Sequence, residues 1–431
     1  MRIPLLLILS LTSILSVAQS VVSGPFQGHT TSHSTKVWFL GKGLDTVQYK
    51  AYNLMDSADI HTGSISADYD YCHKNSCPFK FELGNLKELG TYNLQIIADG
   101  KILSDQEIQT IRNYDVDDFS FLIGSCAFIG TGKDKLYKLW NSTRIFNTLA
   151  AENNGDFMLW MGDNVYLMGK DYKSLNKSIK RYAKVRQHKK LNRFLKTKFH
   201  YAIWDDHDYG PNNCDGTFSQ KENSKKIFDA FWQNPNAPHK NGIYFSMKYA
   251  DIELFMLDDR YNRNDNKSEK ELLGKHQMDW LKAGLTSSTA SFKIIVCGNQ
   301  MLNEFEGHES FMQYKKEKDE LFNHIRTNQI SGVLFFSGDR HHSEILRKQE
   351  TGIYPFYDFT CSALTSWRYP LRKLFKEGEN DLRIKELLLQ HNYAVVSVSG
   401  IENNRAITVT YKNKFGKVLQ SHTLRQQEIS Y

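Results

Sequence analysis

Six short, almost uninterrupted apolar segments in the second part of the chain constrain its fold more than any other feature. They lie at residues 119–123, 157–161, 200–204, 254–257, 293–297 and 332–336. Runs of four to six mostly apolar residues are typical of strands that are buried on both faces of a sheet. Stretches with helical periodicity separate them, at 135–150, 176–197 and 269–283. The pattern therefore predicts an α/β domain built around a central sheet.

The two ends of the chain have strand patterns of another kind. Apolar and polar positions alternate at residues 36–40, 46–52, 79–83 and 91–98. This alternation predicts antiparallel strands that are solvated on one face. We expect residues 19–112 to form a small immunoglobulin-like or fibronectin-like β-sandwich with a packing or spacing role. Near the C-terminus, residues 393–398 and 406–411 predict a closing hairpin.

The first residues have the pattern of a secretory signal peptide. A basic residue, Arg2, precedes an apolar run at 4–15, and Ser16-Val17-Ala18 forms a small-residue cleavage site. The run is too short to cross a bilayer, and no twin-arginine pair precedes it. We therefore expect residues 1–18 to direct general secretory export to the periplasm or the exterior, leaving no transmembrane segment after cleavage.

Composition excludes several classes of protein. With 40% hydrophobic and 24% charged residues, the chain is neither intrinsically disordered nor a polytopic membrane protein. A net charge of +7 over 431 residues suits anionic substrates without implying nucleic-acid binding. The six cysteines are too few for a disulfide scaffold, although Cys72 and Cys77 are close enough to pair in an oxidising compartment.

The apolar strands run directly into residues that can bind metal ions. The clusters are Ser125-Cys126, Asp163-Asn164-Val165-Tyr166, Asp205-Asp206-His207-Asp208, Asp258-Asp259-Arg260 and Asp339-Arg340-His341. Ligands bind at the carboxyl ends of strands in α/β folds, so these loops are expected to converge. Carboxylates crowded around one imidazole repel each other unless a cation lies among them. The clusters together predict a metal site.

The types of donor in these clusters favour more than one ion. Carboxylate oxygens suit Ca²⁺, Mg²⁺ or Mn²⁺, whereas imidazole, phenolate and thiolate suit a transition metal. Asp163 is well placed to bridge two ions, and paired cations about 3.5–4 Å apart activate water for attack on phosphorus. Arg260 is a candidate phosphate clamp, and His207 is a candidate for protonating the leaving oxygen or stabilising charge. We therefore predict hydrolysis at phosphorus.

These motifs occur in the order of a known family. They are Gly124-Ser-Cys126, Gly162-Asp-Asn-Val-Tyr166, Trp204-Asp-Asp-His-Asp208, Asn212-Asn213, Leu257-Asp-Asp-Arg260, Leu273-Gly-Lys-His-Gln-Met-Asp-Trp-Leu281 and Ser337-Gly-Asp-Arg-His341. The sequence resembles the alkaline phosphatase D (PhoD-like) group of the calcineurin-like metallophosphoesterases. The resemblance implies a four-layer α/β/β/α sandwich over residues 118–425 and a secreted phosphomonoesterase or phosphodiesterase. It also implies iron with calcium, rather than two zinc ions, with other divalent cations as alternatives.

The resemblance further implies a set of metal ligands and a smaller set of residues near the phosphate. The implied ligands are Cys126, Asp163, Tyr166, Asp205, Asp206, Asp339 and His341. Cys126 and Tyr166 would bind the iron, and Asp163 would bridge the ions. By the resemblance, His207 would face the phosphate and Asn213 would help to form the calcium or phosphate site; with Arg260, the candidate phosphate clamp, they are the predicted catalytic residues. In the founding members a long C-terminal helix covers the site, and here residues 367–390 are either such a helix or a solvated amphipathic one.

Two alternatives remain open. A secreted binding protein could keep this fold with a degenerate site, although every implied ligand is present. A phospholipase or a nucleic-acid phosphodiesterase on the same fold is permitted by the mild positive charge and by Trp367 and Tyr369. A basic stretch at 177–198 could steer anionic substrates, but a solvated helix face explains it as well. The expected partners are small phosphate esters or diesters, with no obligate nucleic acid.

Overall fold

The computed structural model describes residues 18–112, 117–130, 142–265, 270–305, 309–367 and 379–431. Apart from Ala18, the predicted signal peptide lies outside these residues. The strands are β1 Ser20–Thr30, β2 Thr35–Lys42, β3 Thr46–Asn53, β4 Ile60–Ser66, β5 Ser76–Leu83, β6 Thr91–Ala98, β7 Lys101–Gln109, β8 Phe119–Gly124, β9 Phe157–Met161, β10 Phe199–Ile203, β11 Phe245–Tyr249, β12 Ile252–Met256, β13 Phe292–Cys297, β14 Val333–Ser337, β15 Glu344–Lys348, β16 Phe356–Thr360, β17 Asn392–Ser399, β18 Ala406–Asn413 and β19 Val418–Arg425. The helices are α1 Ile145–Ala150, α2 Leu175–Arg186, α3 Lys189–Leu195, α4 Asp206–Tyr209, α5 Lys221–Phe231, α6 Gly274–Ser287 and α7 Lys315–Thr327.

Within the described ranges, no helix has both the length and the apolar character needed to cross a membrane.

The strands form three sheets. Their strand orders are β19-β18-β17-β8-β9-β10-β1-β2-β5, β11-β12-β13-β14-β16-β15 and β4-β3-β6-β7. In the first sheet β8, β9 and β10 are parallel neighbours, and in the second β12, β13, β14 and β16 are parallel. The predicted closing hairpin is formed by β17 and β18. Because parallel strands end at one edge of a sheet, the loops that follow them are brought together.

The two larger sheets pack face to face, with helices outside both of them. Phe121 of β8 contacts Phe336 of β14, with ring centroids 6.1 Å apart. On the outer face of the first sheet, Phe146 of α1 packs on Trp160 of β9 at 6.4 Å. On the outer face of the second, Phe322 of α7 packs against β14. These contacts confirm the predicted four-layer α/β/β/α sandwich.

The predicted N-terminal β-sandwich is present, and one of its sheets continues into the large sheet. Phe39 of β2 stacks on Phe79 of β5 at 4.7 Å, and both rings belong to an apolar core shared with β3 and β6. Strand β1 is antiparallel to β2 and parallel to β10, so β1, β2 and β5 extend the nine-stranded sheet. Cys72 and Cys77 form a disulfide. The division into domains at 112–118 stays a prediction.

The helical segments differ in detail from the sequence prediction. Residues 176–197 form two helices, α2 and α3, because the chain leaves the helical path at His188. The Nδ1 atom of His188 accepts the N–H of Leu191 at 3.4 Å and caps the second helix. Of the predicted helix at 135–150, the described part begins at residue 142 and contains α1.

The predicted helix at 367–390 is wrong where it is described. Residues 368–378 lie outside the described residues, and residues 379–390 are irregular rather than helical. Backbone bridges join Arg383 and Leu388 to the edge of β15. The backbone groups that a helix would have paired internally are used here to hold the segment against a sheet.

Candidate metal centre

The loops after β8, β9, β10 and β14 bring the predicted ligands together. Two groups of three possible ligand atoms each lie within 4.8 Å of one another. One group is Cys126, Asp163 and His341, and the other is Asp163, Asp206 and His207. Asp163 belongs to both groups, which is the geometry that a bridging carboxylate requires.

Four of the predicted ligands have a left-handed backbone conformation that non-glycine residues rarely adopt. They are Cys126 at φ 56°, Asp163 at 57°, Asp339 at 58° and His341 at 57°. The preceding Gly162 has φ 89°, and a Cβ there would lie 2.6 Å from the Cβ of Asp205. Only glycine therefore allows the β9 and β10 loops to approach this closely. Clustering of such conformations is typical of functional sites.

On one side of Asp163 lie softer donors. The Sγ atom of Cys126 is 3.7 Å from Asp163 Oδ2, and its side chain is fully buried. The phenol oxygen of Tyr166 is 3.1 Å from Nε2 of His341. The carbonyl oxygen of Asp339 is 3.6 Å from Cys126 Sγ. Thiol, phenol and imidazole thus meet at one position, the donor set predicted for a transition metal.

On the other side, Asp206 and His207 begin the short helix α4. The backbone N–H of His207 donates to Asp163 Oδ1 at 3.1 Å and to Asp206 Oδ1 at 2.8 Å. The other oxygen of Asp206 accepts the N–H of Asn213 at 2.7 Å. The side chain of Asn213 is exposed beside the site. Carboxylates dominate this side, which suits a hard cation.

The electrostatics of the cluster favour a positive ion. Burial, followed by the charges of Asp206 and Asp205, raises the pKa of Asp163 well above its usual value. Burial and Asp163 likewise raise the pKa of Cys126 and of Tyr166. The direction of these shifts follows from holding several anions in one dry site without a counter-charge, and a bound cation would favour the ionised forms.

Two further groups are consistent with bound cations. Burial, with the charges of Glu309 and Asp206, raises the pKa of Asp339 to about 7. The Nδ1 atom of His207 is buried and has no hydrogen-bond partner among the described residues. The donor set, the shared carboxylate and these uncompensated groups together fit a centre of two cations.

Arg260 is enclosed by carboxylates of the protein. Its side chain is fully buried, its Nε donates to Asp205 Oδ1 at 2.7 Å, and its Nη2 donates to Glu309 Oε2 at 2.6 Å. The charge of a buried guanidinium must be compensated, and here carboxylates of the protein compensate it. The geometry therefore fits a residue that positions Asp205, and the predicted contact of Arg260 with phosphate stays a prediction.

Asp205 makes hydrogen bonds within the protein, and its predicted role as a metal ligand stays a prediction. One oxygen, Oδ1, accepts from Arg260 and from the backbone N–H of Asp206 at 2.9 Å. Its other oxygen is buried without a hydrogen-bond partner among the described residues, but Asp205 belongs to neither ligand group. Asp205 therefore caps helix α4 and orients Asp206.

Asp208 has no predicted role in the site, but in the structure its carboxylate holds two loops together. Its carboxylate accepts the backbone N–H groups of Asn164 at 3.0 Å, Val165 at 2.8 Å and Asp205 at 3.2 Å. It therefore joins the β9 loop to the β10 loop. The spacing of three residues from Asp205 is that of a capping box, so this signal was present in the sequence.

Comparisons with known proteins identify relatives of this fold. A family model described as PhoD-like phosphatase matches residues 125–429, which is most of the chain. The solved structure of PhoD aligns with a TM-score of 0.77 and 16% identity, covering 95% of this chain and 91% of that one. Purple acid phosphatase PPD1 from yellow lupin (Lupinus luteus) seeds aligns with a TM-score of 0.68 and 9% identity, covering 93% and 74%. At these identities the structures show a shared fold. A search of curated proteins found no match.

Proposed function

The chain belongs to the PhoD-like phosphatase family and is a metal-dependent phosphoric ester hydrolase, and on this premise we propose that it is an exported alkaline phosphatase D-like enzyme. It acts on phosphate monoesters, phosphodiesters or both, at the centre around Asp163. The observation that carries this proposal is the sharing of Asp163 by two groups of ligand atoms. The chemistry of the donors on its two sides supports two different cations.

The proposed cations are iron(III) and calcium. Cys126, Tyr166 and His341 would hold the iron, because a highly charged ion stabilises thiolate and phenolate. Asp206 would hold the calcium through carboxylate oxygen, and Asp163 would serve both ions. When bound, the cations neutralise the phosphoryl oxygens and lower the pKa of a water for attack on phosphorus. Other divalent cations are compatible with the oxygen-rich side.

The chain's own residues orient the substrate and move the proton. His207 is 9% exposed, and its ring stacks on Tyr166 with centroids 4.3 Å apart, so its orientation is fixed. We assign His207 one of two roles. It donates a proton to the leaving oxygen, or it donates a hydrogen bond that stabilises the negative charge developing on that oxygen. The exposed amide of Asn213 lies beside Asp206 and is the proposed second phosphate contact.

The proposed location is the periplasm or the exterior of the cell. The proposal rests on the signal-peptide pattern of residues 1–18. The disulfide between Cys72 and Cys77 supports it, since disulfides persist in oxidising compartments.

The test is hydrolysis of para-nitrophenyl phosphate and bis-para-nitrophenyl phosphate by the purified chain. We expect turnover that a chelator abolishes and that iron with calcium restores. The ratio of the two rates ranks monoesters against diesters. A protein that is loaded with both cations and turns over neither ester would contradict the proposal and favour the degenerate binding protein.

A further inference from the structure

Trp367 lies against the metal centre, although it is not one of the predicted site residues. Its ring centroid is 5.0 Å from that of His341 and 5.7 Å from that of Tyr166. It also lies 5.8 Å from Phe128 and 6.5 Å from His207, and all four contacts are edge-to-face. The indole therefore touches residues of both ligand groups.

The backbone just before Trp367 is fixed onto the loop that carries Cys126. The N–H groups of Thr365 and Ser366 donate to the carbonyl oxygen of Cys126 at 3.2 and 3.0 Å. The hydroxyl of Thr365 donates to the carbonyl of Phe128 at 2.7 Å. The position of the indole is thus set by the same loop that positions a proposed metal ligand.

The indole of Trp367 packs on apolar residues as well as on the rings of the candidate metal centre. Phe128 is fully buried, and Met168 and Trp367 pack against the same small cluster as Cys126 and Tyr166. Trp367 is only half-buried, whereas Cys126 and Tyr166 are buried. It therefore forms the outer, apolar part of the wall beside the place where the phosphate would bind.

We propose that Trp367 is a specificity residue that favours phosphate esters with a planar aromatic group next to the ester oxygen. This inference rests on the proposed function. A flat ring packs on an indole by stacking or edge contact, which adds to the gain from burying its surface. A small polar alcohol such as glycerol gains little there, because its hydroxyl groups lose water against an apolar wall.

The inference is tested with phenyl phosphate and glycerol phosphate as paired substrates. Trp367→Leu removes the ring and keeps apolar packing, and Trp367→Phe keeps a ring. We expect Trp367→Leu to lower kcat/KM for phenyl phosphate about 3–10-fold, mainly through KM. The value for glycerol phosphate should change by less than about twofold, and Trp367→Phe should restore most of the loss. Metal content, measured in each variant, should equal that of the wild type.

Three outcomes would overturn the inference. An equal loss for both substrates, with or without loss of metal, would assign Trp367 a structural role. Unchanged kinetics in Trp367→Leu would show that the ring does not meet the substrate. If the metal-loaded wild type hydrolysed neither ester, the proposed function itself would fail, and that result is distinct from the other two.

Discussion

Two buried charged regions of this molecule satisfy their charges in opposite ways. In the metal centre, several carboxylates surround Asp163, and their mutual repulsion adds to the cost of burial. In the second region, Arg186 of α2 is also buried, and burial lowers the pKa of its guanidinium to about 10. Its guanidinium lies 4.0 Å from the ring centroid of Trp232 and within 5.6 Å of those of Phe26 and Trp38.

Residues of the chain surround the positive charge of Arg186, whereas the carboxylates around Asp163 need a bound cation. The aromatic faces and the carbonyl of Phe231, which accepts from Arg186 Nη2 at 2.8 Å, compensate most of this single charge, although its Nε has no hydrogen-bond partner among the described residues. No arrangement of ring faces compensates a group of anions. The aromatic rings around Arg186 also join β1 and β2 to the helical layer, where Nε1 of Trp38 donates to the carbonyl of Ala230 at 2.8 Å. One region joins parts of the fold, and the other is the proposed site of the chemistry.

The largest expected effect is that of Asp163→Asn on activity. Asparagine keeps the volume and an acceptor for the His207 N–H, but it removes the charge shared by the two ligand groups. We expect kcat/KM for an aryl phosphate to fall about 10³-fold, which corresponds to about 4 kcal/mol. Asp279→Asn, at an exposed position on α6, is the matched control for steady-state kinetics. A loss of less than tenfold would show that catalysis does not depend on the Asp163 carboxylate.

A smaller loss is expected from Asp208→Asn. The amide offers one acceptor oxygen to the three backbone N–H groups of Asn164, Val165 and Asp205, so the two loops lose part of their connection. We expect kcat/KM and metal affinity to fall about 10–100-fold, as for other residues that orient ligands. Kinetics and a metal titration measure both values. Unchanged metal affinity would show that the loops hold their positions without this carboxylate.

The pH dependence of stability should distinguish the metal-free protein from the loaded one. Burial raises the pKa of Asp163, and it raises that of Asp339 to about 7. Groups whose pKa is raised by folding stabilise the protein while they are protonated, and this contribution is lost as the pH rises through about 7. The Tm of the metal-free protein should therefore fall between about pH 4 and pH 7, by roughly 1–2 °C for each kcal/mol lost.

The metal-loaded protein should show a weaker dependence over the same range, because the cations keep these groups ionised. Burial lowers the pKa of His200 to about 3. This histidine therefore has the opposite effect, and destabilises the folded protein as the pH falls below the ordinary pKa of histidine. That contribution is common to both forms and cancels in their difference. Parallel pH curves from thermal denaturation would contradict this account of the site.

The smallest effect is expected from Arg186→Met. The substitution removes a cation–π contact and a hydrogen bond, but it also removes the cost of burying a charge. We expect the free energy of unfolding to change by less than about 1.5 kcal/mol and kcat/KM to stay within about twofold. Arg186→Ala should cost about 2–4 kcal/mol, because it leaves a cavity among the rings. A strong loss of activity in Arg186→Met would show that the two regions are coupled.

The strands that carry the site were predictable because each is an uninterrupted apolar run. The prediction at 157–161 coincides with β9, and the clusters at the strand ends converge as expected. Strand β1 was missed, since Gly24, Pro25 and Gly28 interrupt its pattern. Its pairing with β10, which joins the N-terminal sandwich to the large sheet, depends on residues more than 150 positions apart.

The carboxylate partners of Arg260 could not be predicted from its motif. An arginine beside two aspartates resembles a phosphate clamp, and only the packing of distant loops shows that it is enclosed by Asp205 and Glu309. The position of Trp367 beside His341 and Tyr166 is likewise a product of tertiary structure. The sequence motifs identified the candidate metal ligands, but the residues that contact these ligands could be identified only in the folded structure.

Elemental analysis of the purified wild type and of Asp163→Asn tests the central claim most directly. If Asp163 is shared by two cation sites, the wild type should hold about two cations per chain, iron and calcium. Asp163→Asn should then retain fewer than about one. A variant that kept both cations at wild-type levels, or a wild type that bound none when both were supplied, would contradict the shared centre.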